Sequence, residues 1–268
     1  MNKGFLCSTA IAVVLTAGIV SAATISEFEG VTEPAEKDLS FKVGLGIATA
    51  PDYEGSKDYE AVAVPFASIV SKSGMSAELL GNVLRANVIP SNTWRFGPLL
   101  RYRAERDDVK NDKVDKMKKV DAATELGAYA GINLDNWNFR VDVTHDTSGT
   151  YNGTLAGFSL GYTWMIAKPT KLTLSGLMSI ADDRYMSTYF GVNAADSARS
   201  GLDRYSLGGG VKDVGAAVIA GHNFNDQWGV MGALRYTQLV GDAADSPVVK
   251  DEGSEGQVLF GVMVTYSF

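Results

Sequence analysis

The sequence predicts an all-β fold, a closed antiparallel transmembrane β-barrel of about 12 strands, with 10 or 14 as the alternative counts. Three observations lead there. In the final stretch, Val258, Phe260, Val262, Val264, Tyr266 and Phe268 share one side, while Gln257, Leu259, Gly261, Met263, Thr265 and Ser267 take the other. Strand side chains alternate with period two, and a tilted strand of roughly 9–11 residues crosses a bilayer. The same alternation recurs along the chain, with arginines kept off the greasy face. Short connections also alternate with long ones, as they do between the two ends of an outer-membrane barrel. The last strand of a soluble sandwich would show the first pattern equally well; the connections separate the two readings.

Met1-Asn2-Lys3 followed by the apolar run Phe5–Val20 and the small residues Ser21, Ala22 and Ala23 reads as a secretory signal peptide over 1–22, cut after Ala22 or Ala23. Cys7, the single cysteine, lies near the start of that run, where lipidation would need it at the end. The mature chain then has no disulfide and no cysteine nucleophile or ligand. No later stretch reaches eighteen consecutive apolar residues, so membrane-spanning helices are excluded. With 24 basic and 31 acidic side chains the chain is acidic, which makes nucleic acid a poor partner.

Residues 23–40 are acidic and aperiodic, predicting a flexible periplasmic leader before a barrel over 41–268. Phe41–Ile47 alternates, with Lys42, Gly44 and Gly46 on the polar side. Pro51–Ser56 is a loop, and the next strand places Val62, Val64, Phe66 and Val70 on one face. A less regular pair follows near Met75–Leu80 and Val83–Ile89. Trp94, Phe96, Leu100 and Tyr102 then alternate with Arg95, Arg101 and Arg103. Arginine facing hydrocarbon costs about 2–4 kcal/mol near the midplane, so these three point into a wet interior or at partners. Glu105–Asp121 is a charged exposed loop. Glu125 and Tyr129 face in while Leu126, Ala128, Ala130 and Ile132 face out; Arg140 and Asp142 face in while Trp137, Phe139, Val141 and Val143 face out. Ala156–Ile166 and Leu172–Ile180 continue the pattern. The stretch 182–210 is the longest insertion, with an aromatic patch at Tyr185, Tyr189 and Phe190. Val214–Ala220, with Asp213, and Trp228–Tyr236, with Arg235 inward, precede the polar loop 241–256 and the closing strand.

Short connections at 71–74, 90–93, 133–136, 167–170 and 223–226 alternate with long ones at 50–60, 105–121, 145–153, 182–210 and 241–256; the break at Gly81-Asn82 is the exception. Trp94, Trp137, Trp164 and Trp228, joined by Tyr266 and Phe268, all fall at the short-turn end, where an interfacial aromatic girdle against bilayer and lipopolysaccharide belongs. The terminal aromatic strand resembles the signal read by the barrel-assembly machinery.

Lys42, Arg95, Arg101, Arg103, Glu125, Arg140, Asp142, Asp213 and Arg235 form the lumen charge cluster, either an ion-pair network filling the bore or a pore-lining constriction. The filled bore is the favoured reading. Catalysis is not expected. Only His145 and His222 are present, and His145 with adjacent Asp146 would point to opposite faces, so the Ser–His–acid arrangement of a lipid hydrolase is not formed. Two histidines without shared spacing make no metal site, no phosphate-cradling motif occurs, and no cofactor is implied.

Pro51-Asp52-Tyr53-Glu54-Gly55-Ser56, the run Gly97–Asp107, Glu125-Leu126-Gly127, Tyr185–Val192, Arg199-Ser200-Gly201-Leu202, Gly241–Pro247 and the final Tyr-Ser-Phe resemble the MltA-interacting protein (MipA/OmpV) family of outer-membrane proteins. The resemblance implies localisation in the bacterial outer membrane. It also implies a scaffold role in murein (peptidoglycan) synthesis, joining a lytic transglycosylase to a bifunctional penicillin-binding protein, with no catalytic residues. A small solute channel and an external adhesion surface remain as alternatives.

Overall fold

The computed structural model describes residues 38–268; the expected signal peptide and most of the leader lie outside the described residues. Twelve strands run in the order β1 (Leu39–Pro51), β2 (Tyr59–Ser71), β3 (Ser76–Leu80), β4 (Val83–Asn87), β5 (Trp94–Arg103), β6 (Ala123–Leu134), β7 (Trp137–Asp146), β8 (Thr154–Ala167), β9 (Thr170–Ala181), β10 (Gly210–Asn223), β11 (Trp228–Leu239) and β12 (Gly256–Ser267). Each pairs antiparallel with its sequence neighbours, and β1 closes the sheet on β12 from Lys42↔Ser267 to Thr49↔Phe260. Closure gives the spanning backbone internal partners, which hydrocarbon cannot supply. β1 starts at Leu39, before the predicted Phe41, because Leu39 and Ser40 continue the ladder onto Ser71 and Val70.

The outward face is greasy. Leu45 is 68% exposed, Ile47 57% and Phe260 51%, values that water would penalise and lipid tails do not. β2 departs from this pattern. Val62, Val64, Phe66 and Val70 face the interior, opposite Ala48, Gly46, Gly44 and Ser40 of β1, and leave small Ala61 and Ala63 outside. Val62 and Val64 pack with Leu80, Ile219, Leu259 and Met263 into an apolar inner wall. The bore is therefore two-sided, apolar around β1, β2 and β12 and charged around β5, β6 and β7.

β3 and β4 are five residues each, shorter than a bilayer crossing requires. Gly81-Asn82 turns the chain back part-way up the wall. Gly81 sits at φ +57°, a conformation that suits glycine, and its N–H donates to the Pro65 carbonyl at 2.9 Å. This is why that outer connection alone is short.

The other outer connections are long and fold together as a cap. They carry α1 (Asp112–Asp115), α2 (Asp183–Phe190), α3 (Ala194–Ser200), α4 (Asp242–Asp245) and α5 (Pro247–Lys250). One cap cluster joins Tyr151, Tyr185, Tyr189 and Phe190 to Leu239, Ala243 and Val249; another joins Tyr53, Val114, Met117, Val192, Leu202 and Val248. Loops that bury this much of one another form a small domain seated on the barrel mouth.

Candidate functional site

Beneath the cap the charged wall converges. Arg101 and Glu125 are cross-strand partners on β5 and β6. The Arg101 guanidinium donates to Glu125 Oε2 at 3.2 Å, Asp142 Oδ2 at 3.1 Å and Thr144 Oγ1 at 3.0 Å. Arg103 Nε donates to Glu125 Oε1 at 2.7 Å, and the Thr144 hydroxyl donates to Glu125 Oε2 at 2.7 Å. Arg140 reaches Asp142 at 3.6 Å. Glu125 is fully buried, and Arg101 and Arg103 are 3% and 2% exposed. Gly157 lies opposite Asp142, and a Cβ there would stand 3.0 Å from that carboxylate; its absence leaves room for the pair.

A second hub lies on β10. Register slips between Val211 and Asp213, a bulge that turns consecutive Lys212 and Asp213 both inward. Lys212 contacts Asp213 and Glu54, Ser179 donates to Asp213 at 2.7 Å, and Arg235 places its charge nearby.

Helix α2 bridges the hubs. Asp182 caps its N-terminus through Tyr185 N–H, 2.9 Å. Its last carbonyls, orphaned in any helix, are met from other loops: Arg106 donates to Tyr189 O at 3.0 Å and Ser246 to Phe190 O at 2.6 Å. The Tyr185 ring lies 4.9 Å from the Arg103 guanidinium and 5.8 Å from Lys212 Nζ, and its hydroxyl donates to Glu54 Oε2 at 2.7 Å. Burial pushes the phenols of Tyr185 and Tyr189 well up, so Tyr185 stays a neutral donor.

The profile described as "MltA-interacting protein MipA" matches residues 43–268. The chain belongs to this family. Outer membrane protein OmpV of Vibrio cholerae serotype O1 is 26% identical over 73% of this chain and 72% of its own length. The MltA-interacting protein of Escherichia coli K12 is 32% identical over 45% of this chain, and the match spans about half (51%) of that relative. Among solved structures, an outer membrane channel from Pseudomonas putida F1 (10% identity, TM-score 0.46, 90% of this chain and 100% of that one) and the NanC porin (10% identity, TM-score 0.44, 84% and 98%) are similar. These are likenesses of general barrel shape and carry no inference about transport. The protein is an outer-membrane barrel of the MipA family.

In this MipA-family barrel the predicted lumen residues divide by height. Arg101, Arg103, Glu125, Arg140 and Asp142 meet in one network, and Asp213 and Arg235 join the β10 hub. Lys42 and Arg95 stand apart, half-buried toward the short-turn end, where Arg95 donates to Gly74 O at 3.0 Å. The sequence reading missed Glu78 and Arg85, a buried cross-strand ion pair at 2.5 Å; the weak periodicity of the two short strands hid them, although alternate positions did carry the charges. It missed Lys212, which only the bulge turns inward, and Glu54, which sits in an aperiodic loop. Trp94, Trp137 and Trp228 begin β5, β7 and β11, and Trp164 lies near the end of β8. All four face outward at the short-turn end. Trp137 packs on Tyr162 at 4.8 Å, and Trp228, Tyr266 and Phe268 form a run of ring contacts at 4.9 and 5.0 Å.

His145 faces outward against Thr154 Oγ1 at 3.0 Å, while Asp146 turns inward and accepts from Ser148, Tyr151 and Asn152. His222 meets Thr170 at 2.8 Å at the opposite end. Among the described residues no three His, Cys, Asp or Glu groups gather as metal ligands would.

Proposed function

We propose that this protein is a closed, non-enzymatic barrel that serves as an outer-membrane scaffold. Its periplasmic rim engages a lytic transglycosylase of murein remodelling and, alongside it, a penicillin-binding protein. The observation that carries the reading is the buried Arg101–Glu125–Arg103 network beneath a fully buried Tyr185, which packs charged side chains and a ring into the bore at that level. A filled bore leaves the rims to carry out the function. The name of the Escherichia coli relative, MltA-interacting protein, supports the class of partner.

The rim facing the murein offers the connections 72–75, 88–93, 135–136, 168–169 and 224–227. Phe224 is 65% exposed there, and Val88 and Leu134 are exposed beside other turns. A few buried anchors, aromatic ones among them, carry most of the energy of an interface, and the Phe224 ring suits that role. In this reading the lumen charges are structural. Trp94, Trp137, Trp164, Trp228, Tyr266 and Phe268 form the interfacial girdle against bilayer and lipopolysaccharide, and the aromatic last strand is what the assembly machinery reads.

The test is co-purification from mild-detergent extracts with 88–93 and 224–227 scrambled. Transglycosylase recovery should fall to background while folded barrel remains at its normal level. Undiminished recovery would contradict the scaffold.

A further inference from the structure

A cavity of about 620 Å³ opens in the cap between the β5–β6 loop and the α2–α3 segment, within the size range of small-molecule sites, roughly 300–1,000 Å³. It lies at the end of the barrel opposite the periplasmic rim, so it stands independently of the scaffold reading.

Arg106 lines it and is 7% exposed. Its guanidinium donates to two carbonyls, Tyr189 O at 3.0 Å and Lys118 O at 3.5 Å, and makes no ion pair with a carboxylate among the described residues, the Asp196 charge acting on it only from beyond pairing distance. A guanidinium carries five donors, and burying its charge without an anion is costly. Lys118 and Arg204 line the same cavity, are exposed, and make no ion pair among the described residues. The acids nearby are committed elsewhere. Asp196 accepts from Lys118 N–H and Asn193 Nδ2, both at 2.6 Å, and pairs with Arg199, while Asp121 pairs with Lys119 at 3.6 Å. The cavity is thus locally cationic on a chain of net charge −7, a reversal of sign that focuses anions.

The remaining polar lining suits a polyol. Thr150, Ser187 and Thr188 donate their hydroxyl protons to the carbonyls of Ala122, Leu207 and Arg184. Their oxygen lone pairs are left as acceptors for ligand O–H groups.

We propose that this cavity binds an anionic sugar, a phosphorylated or carboxylated hexose unit, with Arg106, Lys118 and Arg204 taking the acid group and the three hydroxyl side chains the sugar ring. The unit can come from a glycolipid of the surrounding membrane or from free solute.

The test is calorimetric titration of the full chain in detergent micelles with glucose 1-phosphate, galacturonate, glucose and inorganic phosphate. Both acidic sugars should bind at about millimolar Kd or tighter and at least about tenfold tighter than glucose, with glucose 1-phosphate also ahead of phosphate. Added salt should weaken them. Lys118→Ala/Arg204→Ala, two exposed positions whose loss spares folding, should weaken both acidic sugars at least about fivefold, with an unchanged thermal midpoint. Arg106→Lys keeps the charge but not the fork, and should weaken them too. The proposal is overturned by absence of heat with either acidic sugar, by equal affinity for glucose, by phosphate binding as tightly as glucose 1-phosphate, or by an unaffected double variant. Repeating the titration in vesicles containing phosphorylated glycolipid assigns the source: displacement of glucose 1-phosphate identifies the membrane lipid and retained binding identifies free solute, and each supports the site.

Discussion

The Arg103 guanidinium lies 4.9 Å from the centre of the Tyr185 ring, joining the barrel wall to the cap. Arg103 is anchored below by Glu125 at 2.7 Å, and Tyr185 is tied sideways to Glu54 at 2.7 Å. A cation over an aromatic face gains most when desolvated, up to about 2 kcal/mol, and both groups are sealed from water. Wall charge and loop helix therefore form one unit.

Glu125 holds two buried guanidinium groups. Glu125→Gln removes the carboxylate they share, leaving Arg101 with Asp142 as its remaining anion, and should lower unfolding free energy by about 3–5 kcal/mol, measured by urea unfolding in lipid vesicles. Adding Arg103→Met should recover part of the loss, because the leftover charge rather than the missing pair sets most of the cost. A single variant within ~0.5 kcal/mol of wild type would contradict the network.

Leu45, 68% exposed on the outward face of β1, tests the environment of that face. Leu45→Arg should cost about 2–4 kcal/mol in vesicles, whereas an exposed position in water changes stability by about 0.5 kcal/mol at most. The smaller value would place this face in water.

Tyr53, buried in the β1–β2 connection, has its phenol pushed up to about 12, chiefly by burial. An unfolded tyrosine ionises near 10. Folding therefore favours the neutral phenol: its contribution to cap stability is complete below pH ~10 and is lost as pH rises from there through about 12. The difference in 295 nm absorbance between wild type and Tyr53→Phe should show one phenol titrating near 12. A step near 10 would mean that the connection is open to solvent.

Legibility followed periodicity. The eight long strands from β5 to β12 show alternation because one face meets lipid, and Arg101, Arg103, Glu125, Arg140 and Asp142 could be placed inward because such charges cannot face hydrocarbon. It failed where the environments differ. β2 lines an apolar patch of bore, so its valines turn inward. The bulge at Lys212 breaks period two, and β3 and β4 are too short to display it. Tyr185, Tyr189 and Phe190 stood out as an aromatic patch, but their seat over Arg103 depends on contacts from Glu54, Arg106 and Ser246, far away in the chain and invisible to any local pattern.

Single-channel recording in planar bilayers tests the filled bore most directly. Wild type should insert without steady conductance, and Tyr185→Ala, which removes the ring over Arg103 and the bond to Glu54, should admit measurable ion flow. A steady open conductance from the wild-type barrel, unchanged by Tyr185→Ala, would contradict the account.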